Sequence, residues 1–233
     1  SLMAHYSLME IVKAALNSGV NILLIGVYPD TAVVGEFYQT MRNELEDICG
    51  IFIRNNGVGY MTIPTNGSLP SRVEQVVSYL VKTFPSTGFR IPISIDGIAD
   101  SHDQIRQVPG SFEKLMDTYG RLAQIRDKFR NLIVDVNTTF SAENQNVVPD
   151  IIEWVGKNME VDNHSITYIR GNVRNNALMQ ASAVQYRKCT TMLKRRPKKA
   201  ENRFFSSLIR SVTEESWDII ARTIETDQEM VPC

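Results

Sequence analysis

The sequence predicts an α/β fold built on a parallel β-sheet, and two observations carry this prediction. Short apolar runs alternate with helical patterns up to about residue 171, and strands separated by helices need parallel crossover connections. Small or polar residues follow every predicted strand from residue 60 onward. In closed barrels and in open parallel sheets, ligands bind at the carboxyl ends of the strands, so we expect a binding site at that edge.

The alternation is clearest before residue 172. Residues 7–18 are predicted as a helix that starts with a Ser7–Glu10 capping box, and Ser71 with Glu74 predicts a second start of this kind. Two more helices are expected, one from about residue 111 and one over residues 148–158, because apolar residues recur there at helical spacing. The predicted strands are five short apolar runs, at residues 21–26, 60–64, 91–95, 132–136 and 165–169.

After residue 172 the alternation stops, and a helical extension is predicted. Residues 180–196 and 202–226 have helical patterns, and a basic run over residues 194–199 lies between them. Basic runs occur in nucleic-acid and nuclear-localisation patches, but this run has no interleaved aromatic residue and the chain is balanced in charge. A solvated loop is therefore the favoured interpretation.

Composition narrows the class of protein. The 233 residues are 43% hydrophobic and 22% charged, which supports a buried core and excludes a disordered chain. A net charge of −1 gives no general attraction for nucleic acid or anionic lipid, and no apolar run approaches the roughly 20 residues that cross a bilayer. The three cysteines, Cys49, Cys189 and Cys233, lie far apart, which favours reduced thiols and a cytoplasmic location.

Four short motifs follow one another at the spacing of strand–helix units. They are Thr-Asn-Gly at 65–67, Ser-Ile-Asp-Gly at 94–97, His-Asp-Gln-Ile-Arg at 102–106 and Pro-Gly-Ser-Phe at 109–112. This ordered set resembles the radical S-adenosylmethionine superfamily, in particular its members with an auxiliary-cluster (SPASM-type) region. Val-Asn-Thr-Thr at 136–139 and Tyr-Ile-Arg-Gly at 168–171 are similar to later strands of that family.

The resemblance implies a partial parallel (β/α) barrel over residues 3–175, with residues 3–45 poorly matched. Residues 176–233 are then a helical extension that leads toward an auxiliary-cluster domain absent from this sequence, and Cys233 resembles the approach to its first ligand. In the family, a [4Fe–4S] cluster reduces S-adenosylmethionine, and the adenosyl radical abstracts hydrogen from a small-molecule or peptide substrate. An electron donor such as flavodoxin or ferredoxin is implied for the parent protein.

The catalytic cluster is where the sequence departs from the family. The family holds that cluster with a Cys-x3-Cys-x2-Cys loop, which this sequence lacks, and one thiolate cannot replace three. We therefore expect no metal ligands and no bound cofactor in this chain, and no catalytic competence of the chain alone. The alternative is a non-catalytic barrel module that binds a nucleoside or a peptide without a cluster.

The resemblance and the strand ends together give a candidate cofactor site. Gly26 and Pro29 stand where the family has Gly-Gly-Glu-Pro, whose backbone meets the methionine amino group. Ser94 and Asp96 are expected to hydrogen-bond ribose hydroxyls, although a local turn at Asp96 remains open. The candidate cofactor-binding residues are Gly26, Pro29, Asn66, Ser94, Asp96, Asn137 and Arg170.

Several polar residues have a structural alternative. His102, Asp103 and Arg106 are interpreted as a local cluster that caps or pairs within its loop, rather than as a general base and a carboxylate clamp. Arg170 is expected either to contact the cofactor carboxylate or to form an internal salt bridge, with Asp135 as the candidate partner. Cys49 and Cys189 are expected to be small core residues.

Overall fold

Five parallel strands in sequential order form one sheet. The computed structural model describes residues 23–24, 35–169, 176–196 and 206–226. The sheet order is β1-β2-β3-β4-β5, and every neighbouring pair is parallel. The strands are β1 (Leu23–Leu24), β2 (Tyr60–Thr62), β3 (Gly88–Ser94), β4 (Leu132–Phe140) and β5 (Asn163–Tyr168). The predicted α/β partial parallel barrel is confirmed.

Helices connect the strands and cover one face of the sheet. They are α1 (Gly35–Asn56), α2 (Pro70–Thr83), α3 (Asp100–Arg106), α4 (Ser111–Lys128), α5 (Val148–Asn158), α6 (Ala183–Lys194) and α7 (Ser206–Thr226), with a short 3-10 helix at Asn176–Met179. The predicted helix at residues 7–18 lies outside the described residues. No helix of the described ranges is long and apolar enough to span a membrane.

The two faces of the sheet differ in chemistry because side chains alternate along each strand. The face toward the helices is mostly apolar: Val134, Val136 and Phe140 are buried there, and the Phe140 ring meets Tyr186 of α6 at 5.2 Å between centroids. The opposite face, called the inner face here, carries most of the polar residues of the strands. They are Tyr60, Thr62, Arg90, Ser94, Asp135, Asn137, Thr139, Asn163, Ser165 and Thr167.

Strand β4 is longer than the sequence predicts. The apolar run ends at Val136, yet the strand continues through Asn137 and Thr139 to Phe140. Its polar side chains find partners on β5: the Asn137 amide donates to Thr167 Oγ1 at 3.1 Å, and Ser165 Oγ donates to Asn137 Oδ1 at 3.1 Å. Polar residues whose hydrogen bonds are satisfied across strands do not end a ladder.

The predicted capping box at Ser71 and Glu74 is wrong. Helix α2 begins one residue earlier, at Pro70, and its N-cap residue Leu69 has no capping side chain. Proline suits the first turn because its missing N–H would have no partner there. Glu74 instead accepts a hydrogen bond from Arg121 of α4, with 2.6 Å between Arg121 Nη1 and the carboxylate.

The helical extension packs onto the barrel. Trp217 and Ala221 of α7 are buried in the same core as the strands, and Arg187 of α6 pairs with Glu225 of α7 at 2.9 Å. Arg196 donates from Nη2 to the Ile152 carbonyl of α5 at 2.7 Å. The guanidinium crosses Gly156, where a Cβ atom would lie 1.9 Å from it. The extension is therefore fixed to the barrel by apolar burial and by this arginine.

Candidate functional site

A cavity of about 450 Å³ lies at the carboxyl ends of the strands. Its size is in the range of pockets that hold small organic ligands. Residues after β2, β3, β4 and β5 contribute to it, as do α3 and the start of α4. The lining consists of Asn66, Ser68, Asp96, His102, Ile105, Arg106, Val108, Ser111, Thr139, Ser141, Glu143, Asn144, Ile169 and Leu178.

Asp96 is held in this cavity by contacts from two neighbouring elements. Its Oδ1 accepts from the Thr139 backbone N–H at 2.7 Å, and its Oδ2 pairs with Arg106 Nη2 at 2.5 Å. Its own N–H donates to His102 Nδ1 at 3.3 Å. The local turn that the sequence left open is therefore not what the side chain makes, since its bonds reach β4 and α3.

The backbone next to Asp96 leaves no room for a side chain at residue 97. A Cβ atom on the following residue, Gly97, would lie 2.6 Å from the His102 backbone nitrogen. Only glycine permits the turn to pack this closely on the first turn of α3. The carboxylate is consequently held in one place before any ligand arrives.

His102 and Asp103 form local pairing and capping contacts of the kind that the sequence predicts. His102 is buried, and burial lowers its pKa, with further influences from the nearby Asp96, Arg106 and Asp103. The hydrogen bond from the Asp96 N–H also requires a neutral His102 ring, because Nδ1 can accept only when it carries no proton. Asp103 accepts from the Phe112 N–H at 2.8 Å, from Ser111 Oγ at 2.8 Å and from the Gly110 N–H at 2.5 Å. These bonds lower its pKa.

Asn66, after β2, lines the cavity together with Asp96. Its Oδ1 accepts from the Ser68 N–H at 3.1 Å, and Thr65 Oγ1 accepts from the Gly67 N–H at 3.1 Å, so two side chains shape the turn after β2. Gly67 has φ of +73°, which favours glycine. Its carbonyl accepts from Thr118 Oγ1 of α4 at 2.7 Å. The amide nitrogen of Asn66 is not used by this turn.

The predicted site residues fall into three groups. Asn66 and Asp96 line the cavity together. Ser94 and Asn137 are neighbours in register on the inner face, below the strand ends, and are not part of the lining. Asn137 lies there because β4 continues beyond it. Gly26, Pro29 and Arg170 lie outside the described residues, and so does Cys233.

Sequence reasoning missed part of the lining. Ser141, Glu143 and Asn144 follow β4 in a turn whose composition gives no specific signal. Asn144 is buried, and its amide joins the backbone of two strand ends. That role depends on the relative placement of β3 and β4, which no local pattern encodes.

A buried ion pair lies on the inner face. Asp135 is fully buried and pairs with Arg90 of the neighbouring strand β3, while the candidate partner Arg170 lies outside the described residues. Burial raises the pKa of Asp135 to about 6, against the lowering effect of Arg90. Among the described residues, no side chain donates a hydrogen bond to its Oδ1. Burial also raises the pKa of the nearby Tyr60 hydroxyl.

The described residues do not fit an iron–sulfur cluster. Cys49 and Cys189 are both fully buried in the apolar core, and burial raises their pKa to about 12 and about 11. A thiol in such surroundings is neither deprotonated nor accessible as a ligand. Among the described residues, no group of His, Cys, Asp and Glu side chains could hold a metal ion. No reaction step through a cluster is therefore assigned to this chain.

Two solved structures share this half-barrel. One is described as "Native anSMEcpe with bound AdoMet", where AdoMet is S-adenosylmethionine: the TM-score is 0.51 and the identity 13%, and the match covers 79% of this chain and 48% of that chain. The other is described as "Native anSMEcpe with bound AdoMet and Kp18Cys peptide", with TM-score 0.51, identity 13% and coverage of 78% and 48%.

These likenesses show a radical-SAM-like fold, at an identity that shows the fold alone. The chain spans about half the length of the structures it matches. No family model matches the sequence. No curated protein matches it either.

Proposed function

We propose that the cavity binds the adenosyl group of S-adenosylmethionine, and that this chain is the binding core of a radical S-adenosylmethionine protein of SPASM type. One observation carries the proposal. A cavity of about 450 Å³ with a pre-positioned carboxylate lies at the carboxyl ends of a radical-SAM-like half-barrel. Both structural neighbours are described with bound AdoMet, which supports the same ligand class here.

The lining offers suitable partners for an adenosyl group. A carboxylate accepts about four hydrogen bonds, so Asp96 retains acceptor capacity for ribose hydroxyls after its bonds to Thr139 and Arg106. The amide nitrogen of Asn66, which has no hydrogen-bond acceptor among the described residues, is a donor for the ribose or the base. Ile105, Ile169 and Leu178 provide an apolar surface for the adenine ring. These residues bind and orient the ligand.

The activity of a longer parent protein is a separate part of the proposal. An iron–sulfur oxidoreductase that abstracts hydrogen through an adenosyl radical is what the motifs at 65–112 and the fold support. A peptide is one candidate substrate class, because the second neighbour is described with a bound peptide, and a small molecule is the other. Flavodoxin or ferredoxin remains the predicted electron donor, and the cytoplasm the predicted location.

A second candidate is a module that binds the nucleoside without redox chemistry. The burial of both described thiols favours it, since neither can reach a cluster in the cavity. Binding of S-adenosylhomocysteine in the absence of iron is expected under both candidates. Iron and labile sulfide bound by a longer parent protein would separate them.

Isothermal titration calorimetry with S-adenosylhomocysteine tests the proposal. We expect one site per chain, and about tenfold weaker binding in Asn66→Asp, which keeps the acceptor for Ser68 and removes the amide donor. The matched control is Asn158→Asp at the exposed end of α5, where the amide donates to the Trp154 carbonyl, away from the cavity lining; this variant should bind as the wild type does. Absence of heat in the wild type would overturn the proposed ligand.

A further inference from the structure

We propose that Asn144 is the positioning residue of the cavity: it joins the ends of β3 and β4 so that the Asp96 carboxylate is presented in one orientation. This inference rests on the proposed function, because it concerns the same cavity. It assigns a role to a residue that no motif of the sequence marks.

All four hydrogen-bonding positions of the Asn144 amide are occupied. Nδ2 donates to the Thr139 carbonyl at 2.7 Å and to the Asp96 carbonyl at 3.4 Å. Oδ1 accepts from the Ser141 N–H at 2.9 Å and from Ser141 Oγ at 3.3 Å. The side chain is only 3% exposed, so these partners replace water rather than compete with it.

The effect on Asp96 is direct. Asn144 holds the carbonyl of Thr139, and the N–H of the same residue donates to Asp96 Oδ1 at 2.7 Å. The second amide hydrogen holds the Asp96 carbonyl itself. Asn144 thus acts on both the side chain and the backbone of Asp96, beside the direct bonds of that residue to Arg106 and His102. This role requires a group with two donors and an acceptor.

No other side chain of similar size makes the same set of bonds. A carboxylate at this position would place negative charge against two carbonyl oxygens. An aliphatic residue would leave those carbonyls and the Ser141 N–H without partners in a buried place. Asparagine is therefore needed for the geometry, whether or not it touches the ligand.

Asn131 provides a matched control at the other end of β4. It is also buried, and its Nδ2 lies near three carbonyls, those of Val81, Phe84 and Thr87, at 3.1–3.3 Å. It is not part of the cavity lining. Changing either asparagine removes a buried network of comparable size, but only one of the two networks reaches Asp96.

The experiment compares Asn144→Ala with Asn131→Ala by thermal unfolding, calorimetry and amide hydrogen exchange. We expect both variants to be destabilised, and only Asn144→Ala to bind S-adenosylhomocysteine at least tenfold more weakly. Amides of residues 94–97 and 137–141 should exchange at least tenfold faster only in that variant. Asn144→Asp, which keeps the acceptor toward Ser141, gives the same comparison if the alanine variant does not fold.

The outcomes separate the two proposals. If both variants lost affinity equally, Asn144 would have no more than a general structural role. The same conclusion would follow if amide exchange at residues 94–97 were unchanged in Asn144→Ala. A wild type that gives no heat with S-adenosylhomocysteine overturns the proposed ligand. The exchange measurement still decides the positioning role in that case, because it needs no ligand.

Discussion

Asp135 is a carboxyl group that the protein buries completely on the inner face of its sheet. Arg90 pairs with it, yet burial prevails and raises its pKa to about 6 from 3.8. Desolvation of a carboxylate in the interior commonly exceeds the attraction of a single partner. The proton on this group is therefore expected to influence folding stability in the mildly acidic range.

The pH dependence of stability follows from the sign of this shift. The pKa of Asp135 is higher in the folded chain, so the folded chain binds this proton more tightly than the unfolded chain does. The resulting contribution to stability is fully present below about pH 3.8 and is lost as the pH rises through about 6. Relative to Asp135→Asn, the wild type should lose roughly 3 kcal/mol of unfolding free energy over that window. Urea unfolding between about pH 4 and pH 7 measures it.

The same substitution at the exposed Asp47 of α1 is the control for this measurement. Asp47→Asn should follow the wild-type curve over the window. A pH profile of Asp135→Asn that also runs parallel to the wild type would contradict the raised pKa. The comparison is made as a difference between curves, so the other carboxyl groups of the chain cancel.

For single residues, the sequence predicted the site residues that directly follow strands. It missed those whose role depends on partners far away in the sequence. Asn66 and Asp96 follow β2 and β3 and do line the cavity. Asn137 was expected beside them, but its amide pairs with β5 and the strand continues. Asn144 carried no signal, because its partners belong to two strands that are brought together only by the fold.

Helix α4 is capped by a residue of the preceding helix. Its N-cap position is Gly110, which has no side chain, and Asp103 of α3 reaches across to the N–H groups of Gly110 and Phe112. A carboxylate at a helix N-terminus also complements the helix dipole. Helices α3 and α4 are thereby joined beside the cavity.

We expect Asp103→Ala to lower the melting temperature by about 2–4 °C, in the range of a lost helix cap in a chain of this size. Asp100→Ala in the first turn of α3 is the matched control and should change it little. Hydrogen bonds lower the pKa of Asp103, so its stabilisation is present above pH 3.8 and is lost as the pH falls through its lower folded value. Equal melting temperatures for both variants would contradict the capping role.

Element types were more predictable than element ends. Apolar runs located all five strands, because strands buried in a parallel sheet have a continuous apolar signature. The start of α2 was misplaced, since Pro70 fits a first turn as well as a Ser–Glu pair does. Helix α3 was read as a loop motif, because seven residues carry too little periodicity to indicate a helix.

The whole molecule is a half-barrel whose apolar side faces helices and whose polar side faces inward. Its likeness to solved structures, of which it matches 48% of the length, is at the level of fold. The parallel order of the strands was predictable from the alternation of the sequence. The inner face was not, because its polar residues are scattered over four strands at spacings of two and meet only in the sheet.

Cluster assembly is a property that the whole chain is expected to lack. Anaerobic incubation with ferrous iron and sulfide should give no stoichiometric labile sulfide and no charge-transfer absorbance, because Cys49 and Cys189 are buried and one further thiolate is too few. Cys233→Ser serves as the control for adventitious iron bound by the third cysteine. A stoichiometric [4Fe–4S] spectrum from this chain would contradict the expectation.

The turn at Gly67 links the cavity to a helix rather than to the sheet alone. A Cβ atom at this position would lie 2.8 Å from the Leu115 backbone, and the Gly67 carbonyl is held by Thr118 one helical turn further along α4. The position of the Asn66 wall of the cavity is consequently coupled to the position of α4. A small shift of that helix would change the shape of the cavity while leaving the strand register unchanged.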